Sequence, residues 1–494
     1  MSSPLFRRKS ATAALAETEG SGQGPSLRRT LGAMDLAMLG VGAIVGAGIF
    51  SSTGQMAAGS ADNPGAGPAL VLSYVITAVV CGFAALCYAE IAAMVPVAGS
   101  AYTYAYLALG ELFAWIIGWD LIVEYAVGNI YVAQSWADYF RAFLRGTFGV
   151  DFPAWMATDL QTAARTPEIA AAAPHLGDFV LAFNLPALLI TAAVTAVLVL
   201  GIRESARANA VLVGFKILLV LVFVGVGVFF IKPANYVPFA PNGFAGVWTG
   251  ASLAFFSYIG FDAVSTAAEE TRDPQRNLPR GIIGSLIVCT VLYVATAGVM
   301  TGMVPAAELG TGDPLVVALS RAGLNNLATF MAFGAVVAVT AVLLVFQLGQ
   351  ARIFMVMSRD GLLPPVFGRV HPRFRTPAGS TLVTGAFVGL APTFITPAQA
   401  LELCSIGTLF AFVIVSVGVM VLRAREPDRP RPFRCPGYPV TPILSIGACL
   451  WLMAGLPWLN WVRFAAWLAV GLVIYLLYGR NRSHLARVNA RFPV

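Results

Sequence analysis

The chain has 494 residues, of which 58% are hydrophobic and only 11% charged, with a mean hydropathy of +0.78. Soluble domains carry about 25% charged residues, so this composition excludes an ordinary soluble protein and calls for a lipid bilayer. A net charge of +7 can mark a nucleic-acid-binding face, but here the basic residues are scattered over short loops and tails beside apolar runs, and no nucleic-acid partner is expected.

Windows of about 20 apolar residues predict twelve spans, at 33-59, 67-94, 106-136, 184-202, 206-231, 244-268, 279-303, 323-352, 377-397, 400-422, 440-457 and 459-479. An even number puts both termini on one side. Residues 1-30 lack a compact apolar core with a cleavage site and read as a disordered tail rather than a signal peptide; residues 480-494 form a short basic C-tail. Most of the 31 lysines and arginines fall on the side of the two tails, whereas Arg141, Arg145, Arg165, Lys232, Arg321 and Arg463 fall on the other. Cytoplasmic segments carry the basic excess, so both termini are expected in the cytoplasm. Segment 138-183 is expected outside, with a short helix over a vestibule.

The first span is interrupted by GAIVGAGIF, residues 42 to 50. Gly42, Gly46 and Gly48 let the chain leave helical geometry at little steric cost. A break in lipid is tolerated only where it is buried in protein or lines a polar cavity, and unwinding offers the amides of an outer half-helix to an anion such as an α-carboxylate. Against this stands close helix packing, since Gly42 and Gly46 also fit a GxxxG pattern. The sixth span carries a matching break, FFSYIGFDAVS at 255 to 265, in which Phe255, Phe256, Ser257, Tyr258, Ile259 and Gly260 combine aromatic area with carbonyls free to meet an ammonium. Paired interruptions in two halves of a chain point to a secondary transporter with its substrate near the bilayer midplane. Phe256 is either an occluding gate or one packing aromatic among 32 phenylalanines.

Three ionisable residues fall near mid-depth: Glu124 in the third span, Lys216 in the fifth and Asp262 in the sixth. Each costs roughly 2.5 to 3.5 kcal/mol by insertion scales for Lys or Asp, so each should face the interior. Ten residues at about 1.5 Å each put Lys216 about 15 Å deep in a core of about 30 Å. Burial penalises its ammonium, making Lys216 a candidate to gain and lose a proton during transport; the alternative is a fixed ion pair with Glu124 or Asp262. The six cysteines lack metal-ligand spacing and read as packing residues. His175, His371 and His484 lie in loops or tails. No metal or other cofactor is implied, and no P-loop or GxSxG elbow offers enzymatic chemistry.

GAIVGAGIF, GWDLIVEY (118 to 125), IGFDAVSTAAEETRDPQRNLPRGI (259 to 282), CTVLYV (289 to 294), MSRDGLLP (357 to 364) and SIGTLFAF (405 to 412) occur in this order. With them the chain resembles the bacterial cationic amino acid transporter branch of the amino acid-polyamine-organocation superfamily over nearly its whole length. The resemblance implies an all-α, LeuT-like fold: inverted repeats at 31-231 and 232-425, two further helices at 426-479, and residence in a bacterial plasma membrane. It implies an L-amino acid substrate whose carboxylate meets the backbone at Gly46, Ala47 and Gly48, and whose ammonium meets carbonyls near Ile44 and in the 255-259 stretch. It makes Phe256 the gate and puts the proton of Lys216 where sodium-coupled relatives hold a cation. A hydroxyl often occupies the position of Ala47 in this family, so one donor to the carboxylate is missing. The charges of EETRDPQRNLPRGI and MSRDGLLP are expected to lock the inward face by ion pairs.

The reading is a proton-coupled importer favouring small neutral amino acids and not an enzyme. Uptake or exchange of cationic amino acids or polyamines, and a non-transporting amino acid sensor, are the alternatives. The sequence identifies no protein partner.

Overall fold

The computed structural model describes residues 7–8, 30–60, 63–95, 100–201 and 206–484. The expected disordered N-tail lies outside them except for Arg7, Arg8 and Thr30, as does the C-tail beyond His484. Among the described residues the protein is helical, apart from a small hairpin, His175–Leu176 against Phe179–Val180.

Among the described residues, nine segments are long and apolar enough to cross a bilayer when the bent pair Ala33–Ile44 and Gly48–Ala58 counts as one. The spans expected at 184-202, 377-397 and 440-457 form shorter helices, Leu185–Leu200, Ala378–Leu390 and Val440–Ala454, so length and composition alone do not reach twelve. The third span runs on to Phe148 before Gly149, at φ +68°, ends it. Arg141 and Arg145 therefore sit on a helix instead of a loop. Segment 149–183 holds two short helices, Leu160–Arg165 and Pro167–Ala172, where one was expected.

Helical backbone satisfies its own hydrogen bonds, which apolar surroundings demand. Hydroxyls within the helices follow the same rule by donating to the carbonyl four residues back: Thr77 to Ser73, Thr195 to Thr191, Thr301 to Ala297 and Thr408 to Cys404. Burial sorts the spans into centre and periphery. Apolar windows in the third span, Glu111–Phe148, and the sixth, Gly243–Ser265, are 89% and 83% buried, against 22% in the twelfth, Trp458–Arg482. The seventh span, Pro274–Met303, packs along the second, Leu70–Met94, and along Ala33–Ile44; the eighth, Asn325–Arg359, packs along the third. All six cysteines are unpaired and buried, as packing residues should be.

Among the described side chains, the segment 269-282 forms no buried ion pair of the kind expected. Its backbone is clasped to the start of the first span instead: Thr30 and Leu31 amides donate to the Glu270 carbonyl, and Arg272 donates to Leu31. Its one ion pair among the described residues is the exposed Arg276–Asp273 contact, because charges free to remain in water gain little from pairing. The buried lock lies elsewhere. Glu90, near the end of the second span, accepts from Arg423 Nε at 2.8 Å and Nη2 at 2.6 Å and from the Cys435 amide at 2.7 Å, with Arg431 3.4 Å away. This joins the second span to the tenth, Pro397–Arg425, and to the loop after it.

Glu90→Ala should therefore strand two guanidinium groups and cost about 3–5 kcal/mol, the usual penalty for breaking a buried pair. Thermal unfolding in detergent should show a lower midpoint, with a smaller drop for Glu90→Gln; an unchanged midpoint in Glu90→Ala would contradict this.

Candidate functional site

Both breaks form where the glycines stand. The first helix stops at Ile44; Val45 turns to an extended ψ of 99°, and the chain resumes in a wider π-helical turn, Gly48–Ser52, with the second half bent 48° from the first. The sixth span, α-helical over Gly243–Ala254, tightens through Phe255–Tyr258, turns at Ile259 and Gly260, and resumes at Asp262. Gly260 has φ +116°, a conformation that L side chains rarely adopt.

The two breaks touch at two points. A Cβ on Gly48 would lie 2.6 Å from the Ser257 α-carbon, and one on Gly260 would lie 3.1 Å from the Ala43 carbonyl carbon and Cβ. Packing and unwinding, posed as alternatives for these glycines, occur together: a Cβ on Gly42 would meet Val213 at 2.5 Å, and one on Gly46 would meet Val342 at 2.6 Å. Val213 is one helical turn from Lys216, on the fifth span, Ala206–Gly227. That approach brings the buried Lys216 ammonium to the Gly42 carbonyl, to which it donates at 2.9 Å. Gly42 is in the last turn before the break, where carbonyls lack helical partners and favour a cation.

Other freed groups are held by hydroxyls. The Tyr293 phenol lies 2.8 Å from the Ile44 carbonyl and 2.7 Å from that of Ser257, bridging both breaks with one proton. Gly48 O accepts from Ser52 at 2.6 Å and from Ser257 at 3.1 Å. The amides of Ala47 and Gly48 open the second half-helix, where backbone N–H groups lack intrahelical partners. Phe256 is buried, its ring edge-on to Tyr131 of the third span at 5.0 Å. Toward the 149–183 end, Ser135 and Ser51 hydroxyls are 2.5 Å apart and Ser51 donates to Gly312 at 2.6 Å.

Residues 31–478 match the amino acid permease family. The chain belongs to that family. The branched-chain amino acid permease BcaP of Bacillus subtilis is 47% identical over 486 residues, covering 98% of this chain and 100% of that protein. The methylthioribose transporter of the same organism is 44% identical over 98% of this chain and 99% of its own length. Chloroplastic cationic amino acid transporter 9 of Arabidopsis thaliana is 34% identical, covering 94% and 90%. The permease is thus an amino acid transporter of the membrane and not an enzyme.

The remaining expected site residues divide. Phe255 packs on Phe412 with ring centroids 5.5 Å apart, and Tyr258 donates to the Tyr74 carbonyl at 3.1 Å, so within 255–258 it is Phe256 and Ser257 that turn toward the first and third spans. Glu124 and Asp262 are buried but, among the described residues, neither forms an ion pair with Lys216. Lys216 donates to the first break instead, while Glu124 shares its surroundings with Asp120, Asp262 and the Thr408 hydroxyl. Asn129 and Gln134 donate to backbone carbonyls of Leu343 and Ile395, at 3.1 and 2.7 Å, tying helices together. Tyr293, Tyr131, Ser135 and Asp120 carry no role in the sequence reading, although Tyr293 stands inside CTVLYV and Asp120 inside GWDLIVEY.

Gly48→Ala should push the breaks apart, because backbone on the far side cannot yield. An overpacking cost of roughly 1–3 kcal/mol predicts about tenfold or greater loss of labelled amino acid uptake in proteoliposomes. Gly82→Ala, with open space at its Cβ, should leave uptake unchanged; equal losses would refute the contact as the cause.

Proposed function

We propose that the permease accumulates neutral L-amino acids by proton-coupled alternating access, with the substrate between the two breaks and Lys216 as the proton-bearing group. The observation carrying this reading is the Lys216–Gly42 contact beside two broken helices in mutual contact. An ammonium there stabilises the carbonyl end of the first half-helix; removing its proton removes that support and frees the break to rearrange. The substrate carboxylate would take the amides of Ala47 and Gly48, and its ammonium would compete with Tyr293 for the carbonyls of Ile44 and Ser257. Phe256, with Gly46 and Ile259 beside the breaks, would close over the bound molecule. Within this reading, residues 31-231 and 232-425 are inverted repeats, each opening on a broken helix, with residues 426-479 appended. Both termini are cytoplasmic and the protein resides in the plasma membrane, which agrees with the distribution of basic residues.

Two considerations support a neutral substrate. The side chains within the breaks are aromatic, aliphatic or small and none is acidic from 42 to 50 or 255 to 261, and the two Bacillus subtilis relatives are named for branched-chain amino acids and methylthioribose, neither of which is a cation. One observation favours a cationic substrate instead: Asp120, Glu124 and Asp262 are buried near one another, and a basic side chain would supply a counter-charge.

Proteoliposomes with an imposed inward proton gradient should concentrate labelled alanine or leucine without sodium, and Lys216→Met should abolish accumulation while the protein remains folded. Accumulation by the variant equal to wild type, or a sodium requirement, would remove the coupling role. In a competition panel, alanine, serine and leucine should displace label at lower concentrations than arginine or lysine, and α-amides should compete poorly. Arginine competing best would transfer the assignment to the acidic group.

A further inference from the structure

At the end of the bundle opposite segment 149–183, the eighth and twelfth spans finish side by side. The eighth ends at Arg359, and Gly361, at φ +80°, turns the chain so closely against the twelfth that a Cβ there would lie 2.4 Å from the Arg482 carbonyl oxygen. The His484 amide donates to the Asp360 carbonyl at 2.9 Å, and Ser483 Oγ donates to Glu111 at 2.7 Å, fixing the seam. Between the two helix ends lies a cavity of about 150 Å³, with Ser358, Arg359, Tyr478, Arg482 and His484 in its lining. Among the described residues that line it there is no carboxylate, and the nearby Asp360 side chain is engaged by the Tyr102 hydroxyl at 2.7 Å. Neither Arg359 nor Arg482 forms an ion pair among the described residues; Arg482 lies over the Tyr478 ring at 4.9 Å.

Its depth is set by the twelfth span itself. Leu477 is 79% exposed, on a face that Val470, Val473 and Leu476 continue toward the bilayer centre. Arg482 follows Leu477 by five residues, about 7.5 Å at the helical rise. Headgroups add roughly 5–7 Å to each side of the hydrocarbon core. A cationic cavity so placed, continuous with an apolar face, fits a molecule with a phosphate at one end and hydrocarbon at the other.

We infer that this cavity binds the phosphate of an anionic phospholipid, with the acyl chains lying on the exposed face of the twelfth span. The bound lipid bridges the ends of the eighth and twelfth spans through Arg359 and Arg482, and gives MSRDGLLP a role apart from transport chemistry. A zwitterionic headgroup brings a cation that finds no carboxylate in the lining, whereas free phosphate leaves the apolar face unused.

The test uses the full-length protein in dodecyl maltoside, titrated with phosphatidylglycerol, phosphatidylcholine or inorganic phosphate. Melting temperature and lipid retained in native mass spectrometry are the readouts. Phosphatidylglycerol should raise the melting temperature and remain as a discrete adduct, and the other two probes should do neither. Arg359→Gln with Arg482→Gln should reduce the adduct on the order of tenfold or more, since a basic residue at a membrane surface is worth roughly a factor of five, with melting in detergent alone unchanged. Arg482→Gln alone carries the same test at about fivefold if the double variant is not recovered. Equal stabilisation by phosphatidylcholine would overturn the inference, as would stabilisation by inorganic phosphate that the lipid does not exceed. So would an equal loss in the control Arg272→Gln with Arg276→Gln, two exposed arginines at the same end.

Discussion

The constraint on which the molecule depends is that a backbone opened in the middle of a bilayer has no water to pair with. Unwinding two spans releases carbonyls and amides that would each cost several kcal/mol if left bare. The groups around the breaks answer that demand. Lys216 covers Gly42, Tyr293 spans Ile44 and Ser257, and Ser52 with Ser257 covers Gly48. Several of these partners sit on other spans, so the fifth, sixth and seventh spans are held to the first break by the same bonds that make the break tolerable.

If the substrate binds between the breaks as proposed, these protein partners define what an amino acid must do on entry. It must offer the exposed backbone something at least as good as a phenol or a serine, which a zwitterion can do at both of its ends. A phenol has only one proton for two carbonyls, so the Tyr293 bridge leaves acceptor capacity that an ammonium, with three donors, can fill. Phe256 and Tyr131, edge-on to one another, place aromatic surface beside the breaks.

Much of this was legible from residue type and spacing. Long apolar runs located the spans because lipid permits little else, and the glycines at 46 and 260 located both breaks, Gly260 because other residues resist its φ of +116° and Gly46 because Val342 packs where a Cβ would stand. Boundaries were less legible. The third span extends to Phe148 through Arg141 and Arg145, which a hydropathy window reads as loop but which lie on the polar side of a helix rising out of the bilayer. Contacts were least legible. That Lys216 meets a carbonyl and not Glu124 depends on the close approach of Val213 to Gly42, a packing fact with no signature in either segment alone. Tyr293 escaped attention because one tyrosine in an apolar helix resembles any other until its hydroxyl is placed. In the charged run from 269 to 282, Arg272, Arg276 and Arg280 are exposed while the backbone makes the connection to the first span.

The contacts of Gly48 with Ser257 and of Gly260 with Ala43 run in antiparallel order, the higher number in one break facing the lower in the other. Two separate points of backbone contact act as a pair of pins. They fix the distance between the broken helices and forbid sliding, and they leave one inexpensive freedom, rotation about the line through both points. Each half-helix becomes a lever on a shared axle, so a displacement imposed at one end of either lever is transmitted to the other without the axle itself being rebuilt.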